Sequence, residues 1–355
     1  MANGTDLARR FYEAAVHPII TREVGGVGYL AARLGSGSDV VGLDDETSQD
    51  HDFGCRLTLL LDEEHAGLVD GIRESLEAGL PQTFEGWPVR FATSWDATVS
   101  HKVEVATVSG FASSRLGLDP SGPLAAADWL CLTGQSVLEV IGGPVFHDST
   151  AEYSELVERL AWYPHDVWLY VLSSAWARLS QELPFVGRTA ALGDTVGSQI
   201  LAARLCRDMI HLAFLLERRW IPYPKWAGTV LRDLPTGPTL TGCLEEALAA
   251  RDGQARQEQL AEAIECLGRR QADLGLPSVC PAVQPFFDRA SCITTAGIHT
   301  LLSEAVEDPD VRQLPMGLGS IEQWSDNVDL LSWSRRRAAA TGLYRLLIES
   351  GQARR

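Results

Sequence analysis

The pattern of apolar and polar residues changes near residue 150 of this 355-residue chain. Before that point, strand-like segments alternate with helical ones. Apolar residues approach a glycine turn over residues 29–34, a β-type apolar run follows at 53–61, and strict alternation marks 87–95 and 102–108. Helical periodicity covers residues 6–16 and 62–78, and a turn is expected near 96–100. Residues 1–149 are therefore predicted to form an α/β (α+β) domain with a small mixed sheet.

Long amphipathic helices dominate the rest of the chain. Apolar residues recur at helical spacing over residues 150–161, 165–181, 194–219, 240–250, 254–273, 286–307 and about 331–349. The pattern predicts an all-α helical bundle domain over residues 150–355, with a domain boundary after Ser149.

A glycine–serine turn precedes two closely spaced carboxylates within residues 35–52, GSGSDVVGLDDETSQDHD. Gly37 and Gly42 permit close backbone approach, and consecutive amides together with the Ser38 hydroxyl can hold phosphate oxygens. No Gly-Lys-Ser/Thr follows, and the glycine spacing differs from that of the dinucleotide fingerprint. These two common nucleotide-binding folds are therefore disfavoured.

Asp50 and Asp52 are spaced i, i+2 directly before the predicted strand at 53–61. Alternate residues of a strand point to one side, so both carboxylates are expected to face the same space while His51 faces away. Two like charges held this close repel each other, and a divalent cation between them accounts for the arrangement. The pattern predicts Mg²⁺-dependent phosphoryl chemistry.

The order G-S-x-x-x-G and then D-x-D entering a strand is similar to that of the DNA polymerase beta-type nucleotidyltransferase superfamily. The wider context, which includes GSDVVGLDD, SQDHDFG, DWL, YPHDVWLY, FVGR and PYPKW, resembles a bacterial nucleotidyltransferase-like family of unknown function. The resemblance implies transfer of a nucleoside monophosphate from a nucleoside triphosphate to a hydroxyl acceptor. Two Mg²⁺ ions and release of pyrophosphate belong to that expectation.

The resemblance also implies a third carboxylate on a neighbouring strand. Glu104 is our choice, because it lies in mid-strand between Val103 and Val105, where a metal ligand or a solvated strand face would explain a charge. Asp96 is the alternative, although a place at a strand end or turn favours local hydrogen bonding to the backbone.

The helical half offers cations for the phosphates. Lys225 lies among prolines and aromatics in PYPKW, and the resemblance implies that the helical domain lends a lysine to the nucleotide. A lysine with an exposed head at a helix start is an equally good interpretation. Arg188 is a second nucleotide-binding candidate, and Arg204 and Arg207 are weaker ones.

The net charge of the chain limits the classes of partner that it is expected to bind. At −17, with short basic runs only, the chain is a poor match for a nucleic acid, whereas a polycationic small acceptor such as an aminoglycoside is electrostatically favoured. Acidity that serves solubility alone is the simpler explanation of the charge. No apolar run approaches 18 residues and the start of the chain lacks a basic segment with an apolar core, so no membrane is expected and a cytoplasmic location is predicted.

Two other functions remain in view. A non-catalytic nucleotide-binding or regulatory protein could use the same fold. A metal phosphohydrolase built on His51-Asp52 is disfavoured, because the histidines are scattered and a strand follows the pair. The acceptor stays open, in the order small molecule, protein, RNA end.

Overall fold

The computed structural model describes residues 3–45, 47, 53–93, 96–287 and 291–352. The chain divides into two compact units. The first contains Met1–Pro123 and Gln135–Ala161, and the second contains Leu124–Gly134 and Trp162–Arg355. This division falls after Ala161 and assigns residues 124–134 to the second unit, whereas the predicted boundary lies after Ser149.

The first unit contains a five-stranded mixed sheet. The strands of the first unit are, in chain order, β1 (Tyr29–Ala32), β2 (Arg56–Leu61), β3 (Thr83–Phe84), β4 (Trp87–Pro88), β5 (Arg90–Thr93), β6 (Asp96–Thr107) and β7 (Val145–Asp148). The β3 and β4 strands form a separate two-stranded ribbon, and the other five form the sheet. The sheet order is β5-β6-β2-β1-β7, in which β2 and β6 are parallel and the other neighbours are antiparallel. The predicted mixed α/β architecture with a small sheet is confirmed.

Seven α-helices of the described chain precede residue 160. In chain order they are α1 (Gly4–Phe11), α2 (His17–Glu23), α3 (Val69–Gly79), α4 (Val108–Leu116), α5 (Ala126–Cys131), α6 (Gly134–Ile141) and α7 (Glu152–Arg159). Of these, α5 and the first residue of α6 belong to the second unit. A π-helical turn at Tyr12–Val16 joins α1 to α2. Odd-numbered residues of β2 and β6, such as Leu59 and Val105, are buried in one core with Phe11 and Leu76, as strand alternation requires.

The second unit is mainly helical. Its remaining helices are α8 (His165–Ala191), α9 (Thr195–Leu216), α10 (Pro224–Leu231), α11 (Gly237–Ala249), α12 (Gly253–Asp273), α13 (Ile298–Glu304), α14 (Ile321–Trp324), α15 (Val328–Ser332) and α16 (Ser334–Gln352). The α8 helix packs along α9 and contacts α12 and α13. No helix in the described ranges is long and apolar enough to cross a membrane.

Two predictions about this unit are wrong. Residues 286–307 are not one helix, because β8 (Val283–Pro285) and β9 (Cys292–Thr294) form an antiparallel hairpin before α13 begins. The second unit is therefore not all-α. The β-branched pair Ile293–Thr294 favours an extended backbone, and an apolar run as short as residues 292–294 does not distinguish a helix from a strand. The helix predicted to end at residue 181 continues through the buried Pro184 to Ala191.

The strands also differ from their predicted bounds. The β2 strand begins at Arg56 rather than at residue 53, so the alternation used to orient Asp52 does not extend back to it along the described strand. The β6 strand begins at Asp96, which pairs with Thr93 of β5, so the turn predicted at residues 96–100 is wrong. Those five residues form the second arm of a hairpin, in which the β-branched Thr98 and Val99 favour an extended backbone.

Candidate functional site

The register of the sheet brings three segments of the first unit to one end. Ala32, the last residue of β1, pairs with Thr58 near the start of the antiparallel β2. Thr58 pairs in turn with Glu104 on the parallel β6. The glycine–serine turn after β1, the chain entering β2 and Glu104 are thus neighbours at this end of the sheet, and side chains in register point to the same face.

A buried arginine holds the glycine–serine turn. The Arg33 guanidinium donates to both Asp39 carboxylate oxygens, at 2.7 and 2.9 Å, and to the Ser36 carbonyl oxygen at 2.8 Å. Gly37 has a φ of +145°, and a Cβ there would overlap Arg33 and Asp39. Only glycine fits this position, because the backbone passes directly over the ion pair.

Ser38 begins a short 3₁₀ turn, Asp39–Val41, which ends at Gly42 in the left-handed conformation. Within the part of the chain that the structure describes, the Gly37 and Ser38 amides donate to no carbonyl. Gly37 is exposed and Ser38 is half-buried at this end of the sheet. Backbone amides and a hydroxyl presented in this way can bind an anion.

Glu104 lies on the face of the sheet opposite the Leu59–Val105 core, and its side chain is 42% exposed. Its carboxylate accepts a 2.6 Å hydrogen bond from Nη2 of Arg115. The same guanidinium lies 3.8 Å, measured from Nε, from the Glu139 carboxylate. A Cβ on Gly35, the residue that opens the glycine–serine turn, would be 3.5 Å from Nη2. The predicted third carboxylate therefore lies beside the predicted phosphate-binding turn.

Sequence reasoning missed Arg115, although a signal for it exists. Thr107 ends β6 and caps α4 by accepting a hydrogen bond from the Gly110 amide, so the chain reverses at this residue. Glu104 lies three strand residues before the reversal, roughly 10 Å at strand rise. Arg115 lies seven helical residues after Val108, also roughly 10 Å at helical rise. The equal distances place the two side chains side by side.

Other cations lie on the same sheet face. Arg56 of β2 pairs in register with Lys102 of β6, and both approach the Phe91 ring, at 5.4 and 5.6 Å from its centroid. The two cations are neighbours because β2 and β6 align residues that are 46 positions apart.

Asp50, His51 and Asp52 lie outside the described residues, so their predicted roles stay predictions. Among the described residues, no group of three or more histidine, cysteine, aspartate or glutamate side chains could hold a metal ion. Glu104 and Arg115 are the described charges that the predicted metal site would have to accommodate.

Asp96 has the local role expected for it as the alternative to Glu104. It begins β6, and its carboxylate accepts a 2.9 Å hydrogen bond from the Thr98 amide. That backbone hydrogen bond lowers the pKa of the Asp96 carboxyl.

The cations predicted for the nucleotide lie in the second unit. Lys225 is exposed at the start of α10, with its Nζ 4.6 Å from the centroid of the Trp226 ring. Arg188 is exposed near the end of α8. Arg204 pairs with Glu182 at 2.6 Å, and Arg207 donates to the carbonyl oxygen of Glu322 at 2.7 Å. The weaker two candidates are thus engaged within the unit.

A small cavity of about 20 Å³ lies inside the second unit. The rings of Trp162, Tyr163 and Trp220 pack on one another beside it, with centroids 4.6–5.3 Å apart. Glu322 and His211 face the same cavity. Burial raises the pKa of the Glu322 carboxyl to about 7, and burial followed by the nearby arginines lowers the pKa of the His211 imidazole to about 3.

Comparisons with known proteins add two matches. A family model described as a domain of unknown function, DUF4037, matches residues 129–227. The matched segment contains the YPHDVWLY, FVGR and PYPKW motifs with Arg188 and Lys225, but neither the glycine–serine turn nor Glu104. No curated protein matches the chain.

The second match is a solved structure described as a nucleotidyltransferase-like protein from Exiguobacterium sibiricum. It is 13% identical, covers 74% of this chain and 76% of its own, and has a TM-score of 0.34. A likeness at this level carries no inference about activity.

Proposed function

We propose that this protein is an Mg²⁺-dependent nucleotidyltransferase that moves a nucleoside monophosphate from a nucleoside triphosphate to a hydroxyl acceptor. The observation that carries the proposal is the meeting of the glycine–serine turn and Glu104 at the sheet end where β2 begins. In the sequence, Asp50 and Asp52 lie between that turn and Arg56, the first residue of β2.

The donor chemistry fits Mg²⁺. Three carboxylates are hard oxygen ligands, and Glu104 is exposed enough to reach an ion. Asp50, Asp52 and Glu104 would hold two ions, and the Gly37 and Ser38 amides with the Ser38 hydroxyl would hold the β- and γ-phosphates. When bound, Mg²⁺ lowers the pKa of a coordinated hydroxyl and neutralises charge on the phosphates.

The reaction requires little covalent work from the protein. The acceptor oxygen forms a bond to the α-phosphorus as the bond from that phosphorus to the β-bridging oxygen breaks, and pyrophosphate leaves. The hydroxyl proton passes to solvent. The side chains contribute position and charge, which dominate catalysis of phosphoryl transfer.

We propose a small-molecule acceptor, because the net charge of −17 favours a cation over a nucleic acid.

One observation favours the non-catalytic alternative. The Glu104 carboxylate is already bonded to Arg115, as expected of a protein that binds nucleotides without completing a metal site. Calorimetric titration with nucleoside triphosphates and Mg²⁺, run beside a pyrophosphate-release assay over an acceptor panel, separates the two functions. The panel contains aminoglycosides, other sugars, a protein and an RNA. Nucleotide binding without pyrophosphate release from any acceptor would favour the alternative.

Glu104→Gln is expected to lower activity strongly and to recover part of it at high Mn²⁺, because the variant weakens the second metal while leaving the fold unchanged. Asp96→Asn is the matched control and is expected to be near neutral, since the Asp96 carboxylate accepts its hydrogen bond from Thr98, two residues along the same strand. Pyrophosphate release against Mn²⁺ concentration measures both variants. A crippling effect of Asp96→Asn would instead transfer the ligand role to Asp96.

Lys225→Ala is expected to raise the nucleotide KM about tenfold or more, on the scale of ~1.4 kcal/mol for a lost charge-assisted contact. The melting temperature should change little, because the exposed ammonium contacts the Trp226 ring, a contact worth about 0.5–1 kcal/mol. Lys225→Arg, which keeps the charge, should retain most of the affinity. An unchanged KM with a lowered melting temperature would make Lys225 a structural residue of the α10 start.

A further inference from the structure

The Arg115 guanidinium lies between Glu104 and the glycine–serine turn. It is 25% exposed, bonds Glu104, lies 3.8 Å from Glu139 and approaches the backbone of Gly35. Its Nη1 also donates to the Ser114 hydroxyl at 2.8 Å, and the guanidinium lies over the Phe111 ring at 4.7 Å. Ser114 and Phe111 thus hold the planar group in place, and its Nη2 and Nε atoms lie nearest to Gly35.

A triphosphate on that turn would require positive charge beside Gly35. Arginine binds phosphate oxygens with two parallel hydrogen bonds, and such charge-assisted bonds are stronger than neutral ones. Arg33 is the nearest other guanidinium in the turn, but it is buried and already bonded to both oxygens of Asp39. Among the described residues, Arg115 is partly exposed and lies beside Gly35, so it is placed to reach an anion on the turn.

The existing bond to Glu104 does not prevent this. A partly exposed ion pair contributes little net stability, so its opening costs little. A triphosphate carries more charge than one carboxylate and offers several oxygens in place of two. Release from Arg115 would also make the lone pairs of the Glu104 carboxylate available to a metal ion.

We propose that Arg115 exchanges partners: it releases Glu104 and binds the triphosphate. Phosphate binding thereby makes Glu104 available to the metal. The inference rests on the proposed function, and it assigns Arg115 a binding role together with control of the third carboxylate. Without triphosphate, a metal ion and Arg115 compete for the Glu104 carboxylate. Triphosphate relieves that competition because it binds Arg115.

The test uses two probes, Mn²⁺ and inorganic triphosphate, each titrated by calorimetry into the full chain. For Arg115→Met, the triphosphate Kd in EDTA should rise about tenfold, while the Mn²⁺ Kd without triphosphate should fall about two- to fivefold. For Glu104→Gln, the triphosphate Kd in EDTA should fall, because Arg115 no longer has a competing carboxylate.

The decisive result is a double-mutant cycle. The effect of Glu104→Gln on triphosphate affinity should vanish in the Arg115→Met background, because the exchange needs both side chains. Lys102→Met is the matched control, since it removes a cation from β6, the strand of Glu104. The Lys102 ammonium is bonded to Ser100 and not to Glu104. In that background the Glu104→Gln effect should persist.

Different failures have different meanings. A wild-type chain that binds neither probe overturns the proposed function and this inference with it. A wild-type chain that binds both, with additive effects of Arg115→Met and Glu104→Gln, overturns the exchange alone. Arg115→Lys covers the case in which the methionine variant does not fold, and it should show the same signs with smaller changes, because a lysine bonds phosphate at one point.

Discussion

Asp50→Asn and Asp52→Asn are each expected to abolish turnover while the melting temperature stays unchanged or rises. The two residues supply two of the three carboxylates proposed to hold the ions, and a site with fewer ligands cannot keep both. Removing one of two repelling carboxylates also relieves strain in the metal-free chain. Pyrophosphate release measures the first effect, thermal unfolding in EDTA the second, and calorimetric Mn²⁺ titration reports the site without any acceptor.

Asp70→Asn is the matched control for these variants, because Asp70 is a highly exposed carboxylate in the same unit, paired with Arg73. It should leave turnover and Mn²⁺ affinity unchanged. More than about a tenth of the wild-type rate in either aspartate variant, a loss under ~1.4 kcal/mol, would count against metal catalysis at that residue.

Glu322→Gln is expected to stabilise the protein at pH 8 much more than at pH 5. The Glu322 carboxyl accepts a 3.0 Å hydrogen bond from the Gly134 amide, and burial raises its pKa from 4.5 to about 7. The folded chain therefore holds a proton between these values that the unfolded chain has lost. Stability falls as the pH rises from 4.5 to about 7 and is constant above it, by up to ~3 kcal/mol.

The charges around this carboxyl set the size of the effect. Arg337 and Arg207 favour the ionised form, but burial outweighs them. His211 acts in the opposite sense, because its lowered pKa costs stability as the pH falls from 6.5 towards 3. Comparing the variant with the wild type at each pH cancels the His211 contribution.

Urea unfolding at pH 5 and pH 8 measures the difference. Glutamine keeps an oxygen for the Gly134 amide and removes the ionisation, so the stabilisation at pH 8 should exceed that at pH 5 by ~2–3 kcal/mol. Glu349→Gln, at an exposed glutamate of α16, should show no such dependence. An equal change of stability at both pH values would mean that the carboxyl does not bind its proton near neutrality.

Several residues of the candidate site could be predicted from the sequence. The glycine–serine turn was recognisable because Gly37 and Gly42 both need backbone conformations with positive φ, which local chemistry demands. Glu104 was recognisable because a charge interrupts an alternating strand between two buried valines. Its neighbour Arg115 was not, since its position depends on how α4 folds back along β6.

By itself, the sequence determined the local elements. The apolar run over residues 57–61, the alternation over residues 103–107 and the helical periodicity of α8, α9 and α12 each depend on residues a few positions apart. Local sterics and the need to bury apolar side chains decide them. The exceptions are short or ambiguous segments, such as the β8–β9 hairpin.

Only the tertiary structure decided which charges meet. Thr58 and Glu104 became neighbours through parallel strand register, Arg115 joined Glu104 through the reversal at Thr107, and Gly134 reached Glu322 across 188 positions. Packing determines these pairings, because contacts between distant segments form only when buried apolar surface offsets the entropy of closing the loops between them.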